Sequence, residues 1–233
     1  IDGSFPFRAE TIHGYVQGLH YNYIKSFYRE NFGIDTTSDA NILLRYRYNP
    51  DFKSIYSIVP AVIPMLLIFI PAILMALSVV REKELGSRTS KGSGIDYISY
   101  SVLGKQLPYI FVSLISFFIL VSFAIFVFGV PLKGSFFILS LASLLYIICT
   151  TGIGFLMSSF AKTQIAALAG TAIFTLLPTV QFAGLKDPVS SLEGIGKFIG
   201  DFFPVTYFIN ISRGIFSKNV SFSDLHLQFF ALG

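Results

Sequence analysis

Residues 55–80, IYSIVPAVIPMLLIFIPAILMALSVV, run directly into Arg81-Glu82-Lys83-Glu84-Leu85-Gly86, and this junction decides the fold. The apolar part carries no charged side chain. A helix needs only about 20 such residues to cross roughly 30 Å of hydrocarbon. The stretch is therefore a membrane span. At about 1.5 Å per residue it is nearer 39 Å than 30, which calls for tilt or for a first turn among the headgroups. Its interior holds Pro60, Pro64 and Pro71. Each proline removes a backbone donor and crowds the turn before it. Such kinks are tolerated where neighbouring helices re-satisfy the freed carbonyls, so the span is expected to be bent, packed against others and able to hinge at those three residues.

Composition agrees with a bilayer setting. Of 233 residues, 53% are hydrophobic and 13% charged, and the mean hydropathy is +0.68. A soluble domain carries about a quarter charged residues. With 26 Phe, 12 Tyr and no Trp, any aromatic belt must rest mainly on Tyr. The net charge of +4 lies at loop ends instead of forming a basic stripe, which argues against a nucleic-acid partner. Cys149 stands alone in an apolar run, without the pairing that a disulfide framework or metal site needs.

Working outward, residues 1–54 are polar enough to lie outside the membrane. Ile12, Val16, Leu19, Tyr23 and Phe27 recur at spacings of three and four, the face of a helix over 10–32 with Gly33 as its stop. NILLRYRY at 41–48 alternates as a half-buried strand does. Together they predict part of a small α/β extracytoplasmic domain. Beyond the first span, 81–105 is expected to be a water-exposed loop broken by glycines and serines. Further spans follow at 107–128, opened by Pro108 in its first turn, at 135–160 and at 164–182. Ala166 with Gly170, and Gly152 with Gly154, offer small-residue patches for close helix packing. Between 190 and 216 two short interfacial or re-entrant helices are expected, the first capped by Ser190-Ser-Leu-Glu193 and stopped by Pro204. A last span begins at Leu225. The excess of basic residues in 81–105 places that loop in the cytoplasm and 1–54 and 183–224 outside. The chain opens without Met and ends nine residues into the last apolar run, and so reads as a piece of a longer protein.

No carboxylate, His or Arg falls inside the four complete spans. This disfavours ion-coupled transport, which uses buried ionisable groups or unwound helices. Neither Gly104-Lys105-Gln106 nor Gly196-Lys197-Phe198 completes a phosphate-binding loop. His13 and His20 share a helix face with Glu10 a turn before, but with no fourth ligand in view they read as solvated surface residues. No nucleophile and base are paired, so no enzyme and no metal site are expected.

With these stretches laid out, the chain resembles the permease subunit of ABC-2 type transporters. The resemblance is carried by VREKELGS at 80–87, LGKQLPYI at 103–110, FGVPLKGSF at 128–136, GIGFLMSSFAKTQIAA at 152–167, DPVSSLEGIGKFIG at 187–200 and SRGIFSKN at 212–219. It is closest to the subgroup paired with, or fused behind, tandem ABC ATPase domains, including the ribosome-associated fusion, and GSFPFRAE at 3–10 is similar to the tail of that subgroup's extracytoplasmic domain. The resemblance implies an all-α integral membrane helical bundle whose first span and most of whose sixth are absent here. It implies a multi-pass protein of the inner membrane, exporting a hydrophobic or amphipathic compound by alternating access. ATP and Mg would sit on a partner ABC ATPase, with no cofactor in this chain. Arg81, Glu82, Lys83, Glu84 and Gly86 match the segment that docks on the ATPase, and the 187–216 helices match a re-entrant pair. A second permease copy is the other implied partner, and a periplasmic adaptor a further candidate. The alternative that the subgroup implies is a membrane anchor or assembly module for an ABC ATPase with a non-transport role. The chain departs from the pattern at Arg88-Thr-Ser-Lys-Gly-Ser-Gly-Ile-Asp96, polar and Gly-rich where the family has an apolar coupling helix.

Overall fold

A computed structural model describes residues 6–33, 53–86, 95–185, 189–220 and 222–232. Among them the chain is helical. The helices are α1 (Pro6–Phe32), α2 (Ile55–Glu84), α3 (Ile95–Ser122), α4 (Phe136–Phe160), α5 (Gln164–Phe182), α6 (Gly194–Phe202), α7 (Pro204–Arg213) and α8 (Phe222–Leu232). Four of these, α2 to α5, are long and apolar enough to cross a membrane. The α/β character expected of the N-terminal part is not supported. Its helix is present, ending where Gly33 at φ +66° donates its N–H to the carbonyl of Arg29, but the described residues contain no strand and residues 41–48 lie outside them.

Helix α2 is the axis of the bundle, packed against α3, α4, α5 and α7. Pro60, Pro64 and Pro71 all lie on its buried side. Pro64 cannot donate to the carbonyl four residues earlier, that of Pro60. The Ser212 hydroxyl of α7 donates to that oxygen at 2.7 Å. Tyr146 of α4, fully buried and stacked on Phe208 of α7 with ring centroids 4.5 Å apart, donates to the Pro64 carbonyl at 2.8 Å. For Pro64 a neighbouring helix thus supplies the donor that the proline removes, and the Tyr146 bond adds a second tie from α4 to the same stretch of α2. Further along, Gly154 of α4 sits against Ala72, where an added β-carbon would come within 2.8 Å of the Ala72 Cα. Only glycine permits that crossing.

Several boundaries move. α2 continues as helix through Glu84, and α3 begins at Ile95, so the expected loop of 81–105 is helical at both ends and residues 87–94 lie outside the described part. Gly104 is tolerated inside this longer helix. Pro108 consequently lies within α3 instead of in its first turn. The helix ends in a π turn, Phe123–Val127. The following turn folds onto α7's exit, with the Gly134 N–H donating to the Ile215 carbonyl at 2.8 Å.

The capping box at Ser190 does not form. Ser190 lies in a 3-10 turn, Val189–Ser191, and α6 begins only at Gly194, whose φ of +57° interrupts the helix that the box would start. The small-residue pair also differs. Ala166 is exposed, and Ala167 packs with Ala76 and Val80 of α2. On α5 the buried face instead carries Thr171, Thr175 and Thr179, each fully buried, with the Thr175 and Thr179 hydroxyls donating one turn back to Thr171 and Thr175 carbonyls at 2.7 and 2.6 Å.

The two short helices differ in kind. α6 exposes Ile195, Phe198 and Phe202, and its Gly200 is pressed against Val189 and the end of α5. α7 is sunk among α2, α4 and α8. Pro204, which stops α6, opens α7 at its first position.

Candidate functional site

The charged end of α2 lies where the ends of three other spans converge. Each contact follows from position on the last helical turn, where successive side chains point about 100° apart. Glu82 forms an ion pair with Lys105 of α3. Lys83 donates its ammonium to the Ser158 carbonyl in the last turn of α4, where the helix dipole favours a cation. Glu84 accepts from the Gln164 backbone N–H at 2.9 Å and from its side-chain amide, at the first turn of α5, where the dipole favours an anion. Thr163 completes that helix start by accepting from the Ala166 N–H at 3.2 Å. Gly86 at φ +64° closes α2, with its N–H donating to the Lys83 carbonyl at 3.3 Å.

The structure therefore divides the five residues that the sequence grouped together. Glu82, Lys83 and Glu84 bind the chain's own helices. Arg81 is exposed and makes no hydrogen bond or ion pair among the described residues, and Lys162 in the α4–α5 turn is exposed at the same end. Lys83 and Glu84 are exposed as well, but are bonded to α4 and α5.

The prolines form a second constellation, toward the opposite end of α2. Pro60 lies roughly 30 Å along the helix from Arg81 at 1.5 Å per residue. Here Arg213 is buried, donating from Nη1 to the Gly184 carbonyl and from Nη2 to the Leu185 carbonyl, each at 2.7 Å, and from Nε to the Ser57 carbonyl at 3.3 Å. One cation thereby ties α7 to the N-terminal turn of α2 and the end of α5. Sequence reading placed Arg213 on a helix but missed this role. Ser212-Arg213 beside a proline-rich span was the available signal, since both can serve freed carbonyls. Among the described residues no three His, Cys, Asp or Glu come together as metal ligands. One helix, α2, is thus bonded near its two ends to different partners.

The whole chain, residues 1–233, matches the family described as ABC-2 family transporter protein. The chain belongs to the ABC-2 transporter family. It is similar to two proteins of Escherichia coli K12 described as probable multidrug ABC transporter permeases, YbhS, 27% identical over 92% of this chain and 57% of the relative, and YbhR, 25% identical over 95% and 59%. It is also similar to the inner membrane transport permease YhhJ of the same organism, 25% identical over 100% and 62%. The chain thus spans less than two thirds of the length of these curated relatives. No solved structure matches it. Membership of the family and the four membrane-capable helices among the described residues make this chain a multi-pass membrane protein of the ABC-2 permease type.

Proposed function

We propose that this ABC-2 permease exports a hydrophobic or amphipathic compound from the cytoplasm, by alternating access driven by a partner ABC ATPase. The chain resides in the inner membrane as a multi-pass protein. One observation carries the mechanism: the last turn of α2 is bonded to α3, to the end of α4 and to the start of α5. A push delivered there by a nucleotide-driven partner acts on all four spans together. Arg81 and Lys162 supply the exposed cations for that contact. The stretch of α2 that carries Pro60, Pro64 and Pro71 is where the motion is absorbed, and a second permease copy forms the other wall of the pathway. Residues 1–54 complete a domain on the far side. The apolar spans, without a charge at their centre, suit a cargo that needs no buried counter-ion.

The test is substrate-stimulated ATP hydrolysis by the full-length protein with its ATPase in reconstituted vesicles, for wild type and Arg81→Glu. Stimulation is expected in the wild type and a loss of about tenfold in ATPase affinity in the variant, the scale of one well-placed charge pair. Unchanged affinity would remove Arg81 from docking. Absent stimulation with retained ribosome co-sedimentation would replace the exporter reading by that of a membrane anchor for the ATPase.

A further inference from the structure

α2 and α5 are joined at one end by Glu84, which accepts from the backbone and the side chain of Gln164. They are unequal in length. α2 has 30 residues and α5 has 19, so α2 is longer by roughly 16 Å at 1.5 Å per residue. Starting level with Glu84, α5 ends short of the first turn of α2.

Arg213 spans that gap. Its guanidinium donates on one side to the Ser57 carbonyl at 3.3 Å, and on the other to the Gly184 and Leu185 carbonyls at 2.7 Å each, just beyond the end of α5. A planar fork holds acceptors from two segments in one fixed geometry, which an ammonium on a flexible stem does not. Direct contact between α5 and α7 is slight. The tie between them runs through Arg213 at one end of α7 and through α6 at the other, where Thr206 donates to the Gly200 carbonyl at 2.6 Å and Gly200 is pressed against the Phe182 carbonyl. From α7, Ser212 reaches on to the Pro60 carbonyl of α2. Packed helices and hydrogen-bond networks of this kind carry coupling between distant sites. We propose that Arg213 is a positioning residue for transport, through which a push on the Glu84–Gln164 end, carried along α5, reaches α7. The inference rests on the ATPase-driven mechanism proposed above and adds the residue that transmits it at the far end of the bundle.

The test uses the full-length protein with its ATPase in nanodiscs, otherwise cysteine-free through Cys149→Ser, with an environment-sensitive fluorophore at Gln181→Cys or at Asn210→Cys. Both positions are exposed, the first in the last turn of α5 and the second on α7. ATP is expected to shift the emission at both. Arg213→Lys keeps the charge but loses the fork, and should abolish the shift at Asn210 while leaving the shift at Gln181 and the ATPase affinity unchanged. A merely structural role would lower the melting temperature without separating the two shifts. An Asn210 shift that survives in Arg213→Lys overturns the inference. So does a shift at Gln181 without one at Asn210 in the otherwise unaltered protein, a comparison that holds even if Arg213→Lys fails to fold. No ATP-dependent shift at either position would overturn the ATPase-driven reading itself, and the inference with it.

Discussion

At the scale of single residues, the bundle depends on a few atoms that have no substitute. Gly154 is one. A side chain there meets the Ala72 backbone, and backbone cannot rotate away as a side chain can. Gly154→Val is expected to cost about 1–3 kcal/mol as overpacking, seen as a lowered melting temperature in detergent. Gly152→Ala, with open space around its Cα, should leave the melting temperature unchanged. Ser212 is a second. Its hydroxyl serves the carbonyl released by Pro64, so Ser212→Ala strands a buried acceptor and should destabilise by about 1–2 kcal/mol. Adding Pro64→Ala, which restores a donor to that carbonyl, should recover most of the loss. If the two effects simply added, the hydroxyl would not be compensating for the proline.

At the scale of elements, the question is how α2 communicates with its neighbours. The Glu82–Lys105 pair is partly exposed and contributes little to stability, about 0–1 kcal/mol. Its value lies in registering the end of α2 against α3. Glu82→Lys or Lys105→Glu alone is expected to reduce substrate-stimulated ATP hydrolysis several-fold with little change in melting temperature. The double exchange should restore it, because the pair is re-formed with its sign reversed. A double variant no better than the singles would show that each charge serves the ATPase instead of the other.

At the scale of the whole molecule, the tight crossings at Gly154 and at Ala76, Val80 and Ala167 leave α2, α4 and α5 no room to slide. α4, α5 and the part of α2 beyond Pro71 are expected to move as one body, with access alternating between permease copies. A disulfide between Val80→Cys and Ala167→Cys, in a Cys149→Ser background, should therefore leave transport within about twofold of the reduced protein. Transport abolished on oxidation and regained on reduction would place the motion inside a single bundle.

Much of this was legible without coordinates. Four uncharged runs of about 20 residues suffice to announce four helical spans, since a continuous apolar run of that length hides its backbone from lipid by helical hydrogen bonds, and the fourth begins and ends where its residues foretold. The helix of 10–32 was readable from its period and its glycine stop. Only the ends of the expected 81–105 loop were misread: Arg81–Glu84 are good helix formers that prolong α2 up to Gly86, and Ile95–Lys105 belong to α3, while 87–94 lie outside the described residues. The capping box at Ser190 failed at a glycine that one residue's backbone angle turned into a break.

The candidate site was half visible. Arg81 to Gly86 stood out as charge at the end of an apolar run, a local signal. Which members face outward and which bind α3, α4 and α5 depends on three helix ends brought together from positions up to 80 residues away, and no local pattern contains that. The amino-acid sequence alone determined that this chain lives in a bilayer, how many times the described part crosses it and where its charges cluster, because those follow from solvation, which acts residue by residue. Tertiary structure alone decided that Arg213 and Ser212 would serve the carbonyls of a distant span, that Gly154 would be the closest crossing and that Arg81 would remain exposed, because hydrogen bonds and steric contact act only between groups that the fold has already brought within a few ångströms.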